Sequence, residues 1–275
     1  MTAALNFISH LFWDSVLWNW TVAILIGACA ETIFMAEHGQ PFRDRLLNIQ
    51  YGIVYALLIF VITPNLAILI AVLYKLTGTG LISLHIRGRG ILSAIVAGLL
   101  LYLVTDFFYY WQHRLQHKLP ILWAQHSLHH SERSLNVTTN MRHHWLEPIL
   151  QAVFIGLPLT VLFDLAPASV ITVGFLFSIW SFFIHMNLRL SLGRFSWVLC
   201  APQVHRIHHS ILAEHRDKNF AAYFPIWDIL FRTYYAPKKG EFPPTGLATG
   251  EVPSGVTHCL VWPIAYFIRS HGQKV

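Results

Sequence analysis

Five apolar stretches of roughly membrane-spanning length govern what this chain can fold into: Val16–Ala36, Tyr51–Tyr74, Ile91–Tyr110, Pro148–Leu165 and Ala168–Asn187. A bilayer core about 30 Å thick takes about 20 helical residues. Charged residues are only 12% of the chain and hydrophobic ones 55%, against roughly 25% charged in soluble domains. Such a chain cannot clothe a globule in polar surface. An ordinary soluble domain, a disordered chain and a collagen-like fibre are excluded. The expected fold is all-α, a multi-span membrane bundle of about four or five helices.

The first stretch lacks a basic leading region and an A-x-A cleavage site, so it reads as a retained span. Pro64 lies mid-way along the second, predicting a kink, a break or a re-entrant path. The helical pattern of the third runs on past the membrane to about His117. Asp164-Leu165-Ala166-Pro167 joins the last two stretches as a tight turn, making them a hairpin. Lys and Arg fall sixteen on one side, three (Lys75, Arg87, Arg89) on the other. That bias puts the histidine-rich segments on the cytoplasmic face, where residues 188–250 are expected to form part of a histidine-rich helical cap. Three units are expected: 1–90 with the first spans, 91–240 with the chemistry, and 241–275 ending in an interfacial helix near Val256–Arg269. The sequence pI near 9.3 reads as topology and lipid-surface charge, not as nucleic-acid binding.

Histidine is the second anomaly, with 17 residues, more than the 13 Asp plus Glu. Eleven lie between His113 and His209. His113 and His117 form HxxxH at the end of the third stretch. His126, His129 and His130 form HxxHH, and His205, His208 and His209 form it again. Positions i, i+3 and i+4 share one helix face, so each cluster can aim several imidazoles at one point. The 74 residues between the second and third clusters are enough for the hairpin, which returns the third cluster to the same face. His185 ends the hairpin there. A lone histidine is more often a satisfied core residue, and HxxxH alone is evenly balanced. Nine imidazoles at one depth are a different matter. They are too many for one tetrahedral zinc and suit two metals, with iron, copper and zinc all accepting imidazole. The three cysteines are scattered and form no CxxC, against iron–sulfur or thiolate–zinc sites.

The order HxxxH, HxxHH, hairpin, HxxHH resembles the fatty acid hydroxylase and sterol desaturase superfamily. Asp106-Phe-Phe-Tyr-Tyr-Trp111-Gln-His113-Arg114 resembles its D-x-x-Y-Y-x-x-H-R approach to the first box. Arg142-His143-His144-Trp145-Leu146-Glu147 resembles R-x-H-P-x-E, with Trp145 in place of proline. Asp217-Lys-Asn219-Phe220 and Trp227-Asp228-Ile-Leu-Phe-Arg-Thr233-Tyr234 follow the third box as in bacterial members and the alkylglycerol monooxygenase branch, with Arg232 replacing a glycine. The resemblance covers about Leu100 to Tyr235.

The resemblance implies a membrane oxygenase with two iron ions, which zinc can replace in purified protein. Its ligands would be His113, His117, His126, His129, His130, His185, His205, His208 and His209. Hydroxylation, desaturation or ether oxidation of a lipid C–H bond would follow O2 activation. Asp106, Asn187, Glu147, Asp217 and Asp228 are expected behind the ligands. Asp228 could equally be a helix cap, and Asp106 near the end of an apolar span is costly unless it faces the site. His144 is a tenth ligand or another such partner, and His143 the exposed member of its pair. Phe107, Phe108, Trp180, Phe182 and Phe183 could line a lipid slot or simply pack. His215 lacks the spacing and is left out. No GxGxxG, Walker loop or CxxC appears, so electrons must come from a separate donor, a ferredoxin or a cytochrome b5. The short loops point to a bacterial inner membrane.

Three other readings stay in view. A metal transporter would hold its ligands near the bilayer midplane. A b-type haem protein would use single histidines on facing helices. A zinc metallohydrolase would show no oxygen dependence.

Overall fold

The computed structural model describes residue 18 and residues 20–77, 80–83, 90–164 and 167–272. Its elements in order are α1 (Trp20–Phe34), α2 (Phe42–Thr77), β1 (Ile82–Ser83), α3 (Gly90–Lys118) and α4 (Pro120–His130). There follow α5 (Glu147–Leu162), β2 (Phe163–Asp164), α6 (Pro167–Ile184), α7 (Pro202–His208), α8 (Ile226–Leu230) and α9 (Val256–Gly272). Short 3-10 turns lie at Val137–Met141, Gly193–Phe195 and Ala213–His215.

Two helices are long and apolar enough to cross a membrane, over Phe42–Ile70 and Gly90–Lys118. Shorter apolar helices occupy Trp20–Phe34, Glu147–Leu162 and Thr172–Ile184. All five expected stretches are therefore helical over most of their described length, with three of them shorter than a full crossing. Helix α2 runs on through Pro64 for 36 residues. Helix α5 carries one π-helical turn at Ala152–Gly156. Two residues of the expected hairpin turn, Leu165 and Ala166, lie outside the described residues.

The distribution of side chains is inverted relative to a soluble globule. Ile53, Leu57, Val61 and Leu69 of α2 and Ile91, Leu92, Val96 and Leu99 of α3 are exposed, while fifteen histidine, glutamate and aspartate side chains, His113 and Asp106 among them, are buried. That is the pattern of a chain whose outer solvent is hydrocarbon.

Helices α3, α5 and α6 fix the two ends of the bundle. Helix α3 starts at Gly90 and reaches His113 about 35 Å further on, at 1.5 Å per residue. At its starting end β1 pairs in parallel with β2, Ile82 opposite Phe163 and Ser83 opposite Asp164. Gly80 lies against this bridge so closely that a Cβ there would stand 2.1 Å from the Phe163 carbonyl carbon. The segments 80–83 and 163–164 thus share one end, and the histidine clusters share the other. At the histidine end the 3-10 turn Val137–Met141 wedges between α1 and α2. Glycine makes room for it: a Cβ at Gly27 would fall 2.4 Å from Val137 Cγ2, and one at Gly52 2.2 Å from Met141 Cε.

The expected interfacial helix is α9, and it is more than a surface strip. Trp262 is fully buried, and its indole N–H donates to Ser127 Oγ of α4 at 2.9 Å. Tyr266 accepts from Trp123 Nε1 at 2.9 Å. Its other face, with Val261, Ile264 and Ile268, is exposed and apolar.

Candidate metal centre

The second and third histidine clusters ride on helices that start on proline. Pro120 opens α4 and Pro202 opens α7, a position where the missing N–H costs nothing. Each HxxHH closes its helix. His129 and His130 end α4 and His208 ends α7, with His209 capping it. His113 and His117 sit one turn apart near the end of α3, and His185 follows the last residue of α6.

These nine imidazoles form two groups whose ring nitrogens lie within 4.8 Å of one another, His113, His117, His126, His130 and His208 in one, His129, His185, His205 and His209 in the other. The structure brings together every residue expected as a ligand. Within the first group His113 Nε2 lies 3.0 Å from His126 Nε2. His130 Nε2 has three such neighbours, His117 at 3.2 Å, His126 at 3.2 Å and His208 at 3.1 Å. Within the second, His185 Nε2 is 3.0 Å from both His129 and His205, and His209 is 3.2 Å from His205.

A neutral imidazole has one N–H, so His130 cannot satisfy three nitrogens at once. Several of the rings also have that proton committed on the far side. His113 Nδ1 is 2.8 Å from the Phe220 carbonyl, His208 Nδ1 is 2.8 Å from the Lys218 carbonyl, and His185 Nδ1 meets the Ser181 carbonyl. A carbonyl only accepts, so these rings carry hydrogen on Nδ1 and turn bare Nε2 lone pairs inward. Converging lone pairs repel unless a cation stands between them. Burial, reinforced by neighbouring imidazoles, holds His126, His129, His130, His205 and His209 well below the ordinary histidine range. They are neutral at pH 7 and free to ligate. The donor set fits two metal ions, one per group.

The carboxylates work one step behind the rings. Asp228 Oδ1 accepts from Phe220 N at 2.8 Å and Thr233 Oγ1 at 2.7 Å, and Oδ2 from Ala221 N at 2.9 Å. Asp106 accepts from the next three amides, those of Ala222, Tyr223 and Phe224, at 2.8 to 3.1 Å. Two buried acids thus pin five consecutive N–H groups of the loop whose Phe220 carbonyl orients His113. Glu147 accepts from Gln112, Gln116 and Gln125 at 2.7 to 2.8 Å, locking the helix of the first box to that of the second. Asn187 bridges to the main chain of Glu37 through both side-chain atoms, at 2.9 and 3.0 Å, and so ties the end of α6 to the segment after α1. Asp217 is different. It is 63% exposed and its carboxylate stands 3.7 Å from His117 Nδ1, too far for a hydrogen bond.

The neighbouring pair His143 and His144 is arranged opposite to expectation. His144 turns away from the centre, its Nε2 2.9 Å from the Leu260 carbonyl of α9. His143 instead stacks on His129, ring centroids 4.1 Å apart and 15° from parallel. It is the tenth imidazole near the centre. The five aromatic candidates for a lipid slot do not gather. Phe182 packs with Val137 and Met141, Phe107 against Trp227, Phe108 beside Leu101 and Leu159, and Trp180 and Phe183 against each other.

Other contributors escaped the sequence reading. Asn219, held at φ +56°, donates to Val204 O at 3.2 Å and accepts from Tyr235 N at 2.8 Å, fixing α7 against the segment at Tyr235. Glu31, buried in α1, accepts from the amides of Val137 and Asn187 at 2.6 and 2.8 Å and pairs with Arg45 at 2.9 Å. Gln112, Gln116 and Gln125 each precede a box histidine by one residue, which is the signal that could have found them.

The comparisons with known proteins agree with this geometry. Residues 98–233 match the family model described as fatty acid hydroxylase. The chain is similar to alkylglycerol monooxygenase of Xenopus tropicalis, 36% identical over 51% of this chain and 31% of the relative. It is 36% identical to human alkylglycerol monooxygenase over 49% of this chain and 30% of that protein. Ornithine lipid hydroxylase OlsE of Rhizobium tropici is 29% identical over 62% of this chain and 50% of its own length. The chain therefore spans about a third to a half of these relatives. No solved structure matches. With the three boxes, the loop that orients them and the pinning acids all falling inside the matched segment, the chain belongs over residues 98–233 to the fatty acid hydroxylase family.

Proposed function

We propose that the protein is a membrane-bound di-iron oxidoreductase that uses O2 to hydroxylate or desaturate a C–H bond of a lipid. One observation carries the reading: nine imidazoles in two groups, eight of them buried and His117 half-buried, with inward Nε2 atoms that cannot satisfy one another. When bound, two irons would supply reductive O2 activation and hydrogen abstraction from an unactivated carbon. Iron, among the metals imidazole accepts, is favoured by the family. The relatives named as lipid hydroxylases and monooxygenases support a lipid substrate.

The chain's own part is to hold and exclude. His113, His117, His126, His130 and His208 would hold one ion and His129, His185, His205 and His209 the other. The Phe220, Lys218 and Ser181 carbonyls set the ring tautomers. Burial of eight of the nine rings, with His117 half-buried at the edge, keeps bulk water from the centre, and the outward apolar faces of α2 and α3 admit substrate from the bilayer. Five spans, with the centre on the cytoplasmic face of a bacterial inner membrane, complete the reading. Electrons would come from a separate ferredoxin or cytochrome b5. A transporter is disfavoured because the imidazoles cluster at one end of the helices, not mid-way along them.

The test is purified protein in lipid nanodiscs, given a reductant, a donor and a bacterial lipid extract. Two irons per chain and a lipid product gaining 16 or losing 2 mass units only with O2 are expected, since one oxygen enters or two hydrogens leave. Product without O2, or a single metal in folded protein, would overturn the reading.

A further inference from the structure

A second cavity lies on the cap, apart from the imidazole centre. Its volume is about 350 Å³, and Arg189, Ser191, Ser196, Gln203, Lys238 and Lys239 are among the residues around it. Gln203 belongs to α7, two residues before His205, so the cleft backs directly onto the helix of the third box.

The cations here make no ion pair, although the Arg189 guanidinium stacks 4.8 Å above the Phe242 ring. The cap's own ion pairs are Arg206–Glu37 at 2.9 Å and His215–Glu241 at 3.3 Å, which leaves Arg189, Lys238 and Lys239 with no carboxylate within ion-pair distance among the described residues. Glu241 also borders the cleft, but its oxygens are engaged by Tyr235 Oη at 3.1 Å and Lys238 N at 2.7 Å. The decisive group is Ser196. Its side chain is 5% exposed, and its Oγ has no hydrogen-bond partner among the described residues. A buried hydroxyl left unpaired is costly, and this one lies in the wall of a basic cleft. Gln203 is not idle, since its Nε2 donates to Lys238 O at 3.1 Å and Glu241 O at 2.9 Å and so shapes the loop that carries both lysines.

Beside the cleft the chain presents apolar bulk. Phe195 and Trp197 are each 56% exposed, and Leu190 is exposed next to Arg189. Trp and other aromatics at that kind of position anchor in the interfacial layer of a bilayer, next to the headgroups. A cationic pocket with a free hydroxyl, flanked by exposed aromatics, fits an anion that is covalently attached to acyl chains.

We propose that this cleft binds the phosphate of an anionic membrane-lipid headgroup, with Arg189, Lys238 and Lys239 supplying charge and Ser196 Oγ donating a hydrogen bond. Charge-assisted donors to phosphate are the strong ones, and juxtamembrane basic groups gain further from the surface potential of anionic lipid. The proposal rests on the membrane-lipid reading above for the source of the phosphate, not for the chemistry of the cleft.

Calorimetric titration of the purified full-length protein in maltoside detergent tests it without reference to turnover. The probes are dioctanoyl-phosphatidylglycerol, dioctanoylglycerol and inorganic phosphate. The phosphatidylglycerol is expected to bind saturably and the other two weakly or not at all. The K238A/K239A double variant should weaken binding at least about tenfold, since it removes two charge-assisted donors, and Ser196→Ala a few-fold, since it removes one neutral hydrogen bond. Arg194→Ala, outside the cleft, should change nothing. Inorganic phosphate binding as tightly as the lipid would assign the site to the free anion and overturn the lipid source. Equal binding of dioctanoylglycerol, or no effect of the double variant, would overturn the cleft itself. So would loss of donor-driven reduction in the double variant with no lipid binding in wild type, which would assign these cations to an acidic protein partner. A protein with no oxygenase activity that still binds the lipid would sink the proposed function and leave this proposal standing.

Discussion

Replacing Asp228 probes how the fold sets the metal centre without touching a ligand. Its carboxylate takes two backbone amides and one hydroxyl, at 2.7 to 2.9 Å, and is almost fully buried. Hydrogen bonds to a charged acceptor contribute about 1.5–3 kcal/mol each, and three that act together do not add fully. Asp228→Ala should therefore cost roughly 4 kcal/mol of local stability in the 220–221 loop. Phe220 O, the acceptor for His113 Nδ1, moves with that loop. Loss of such an orienting partner typically weakens a metal site about 10- to 100-fold. Asp228→Asn should fall between, because its amide NH2 would face a backbone N–H where an acceptor is needed. The assay is metal retained per chain after dialysis against graded chelator, with circular dichroism to show that the helices persist. Asp217→Asn is the control, since that side chain is 63% exposed and 3.7 Å from its histidine, and exposed pairs contribute about 0–1 kcal/mol. Wild-type chelator resistance in Asp228→Ala, or equal losses in both variants, would refute the chain of orientation from acid to loop to ring.

Three more outcomes follow from the same geometry. His208→Ala should lose lipid product and part of the metal in membranes, while His215→Ala, whose ring contacts Ser210 and Glu241 but no ligand nitrogen, should keep both metals; equal loss in the two variants would remove the third box from the ligand set. Histidines at and beside the centre have folded pKa values below the ordinary 6.5, His143 pushed down to about 3 by desolvation, so below pH 6.5 the unfolded chain takes up more protons than the folded one. The melting temperature of metal-free protein should thus be flat above about pH 7 and fall steadily from pH 6.5 to 5, and an unchanged melt at pH 5 would show that these rings are not buried neutral. Reporter fusions near Gly80 and after His271 should report opposite sides of the membrane, the first outside and the second cytoplasmic; the same side for both would break the two-ended arrangement set by β1 and β2.

Much of the centre was legible in the residues because helical periodicity is a local property. HxxxH and HxxHH put rings on one face whatever surrounds them, and the length between the boxes matched a there-and-back pair of apolar helices. The nine ring positions and the apolar helices needed nothing more. Tertiary structure decided the division of those nine into five and four, because His129 and His130 are adjacent in sequence yet point to different foci across a helix. It also reversed His143 and His144. The residues alone pointed to His144 as the one near the rings and His143 as the exposed one, whereas α9 packs on α4 and offers the Leu260 carbonyl to His144. The acids behaved likewise. Asp106 and Asp228 were open to partnering the rings or to anchoring the fold, and both are taken by the amides of one loop, since a buried backbone N–H must be paired and a carboxylate is the strongest acceptor within reach. Ligand identity was written in spacing along the chain, and ligand orientation in contacts between segments more than 70 residues apart, such as His208 with His130, which only the folded chain brings together.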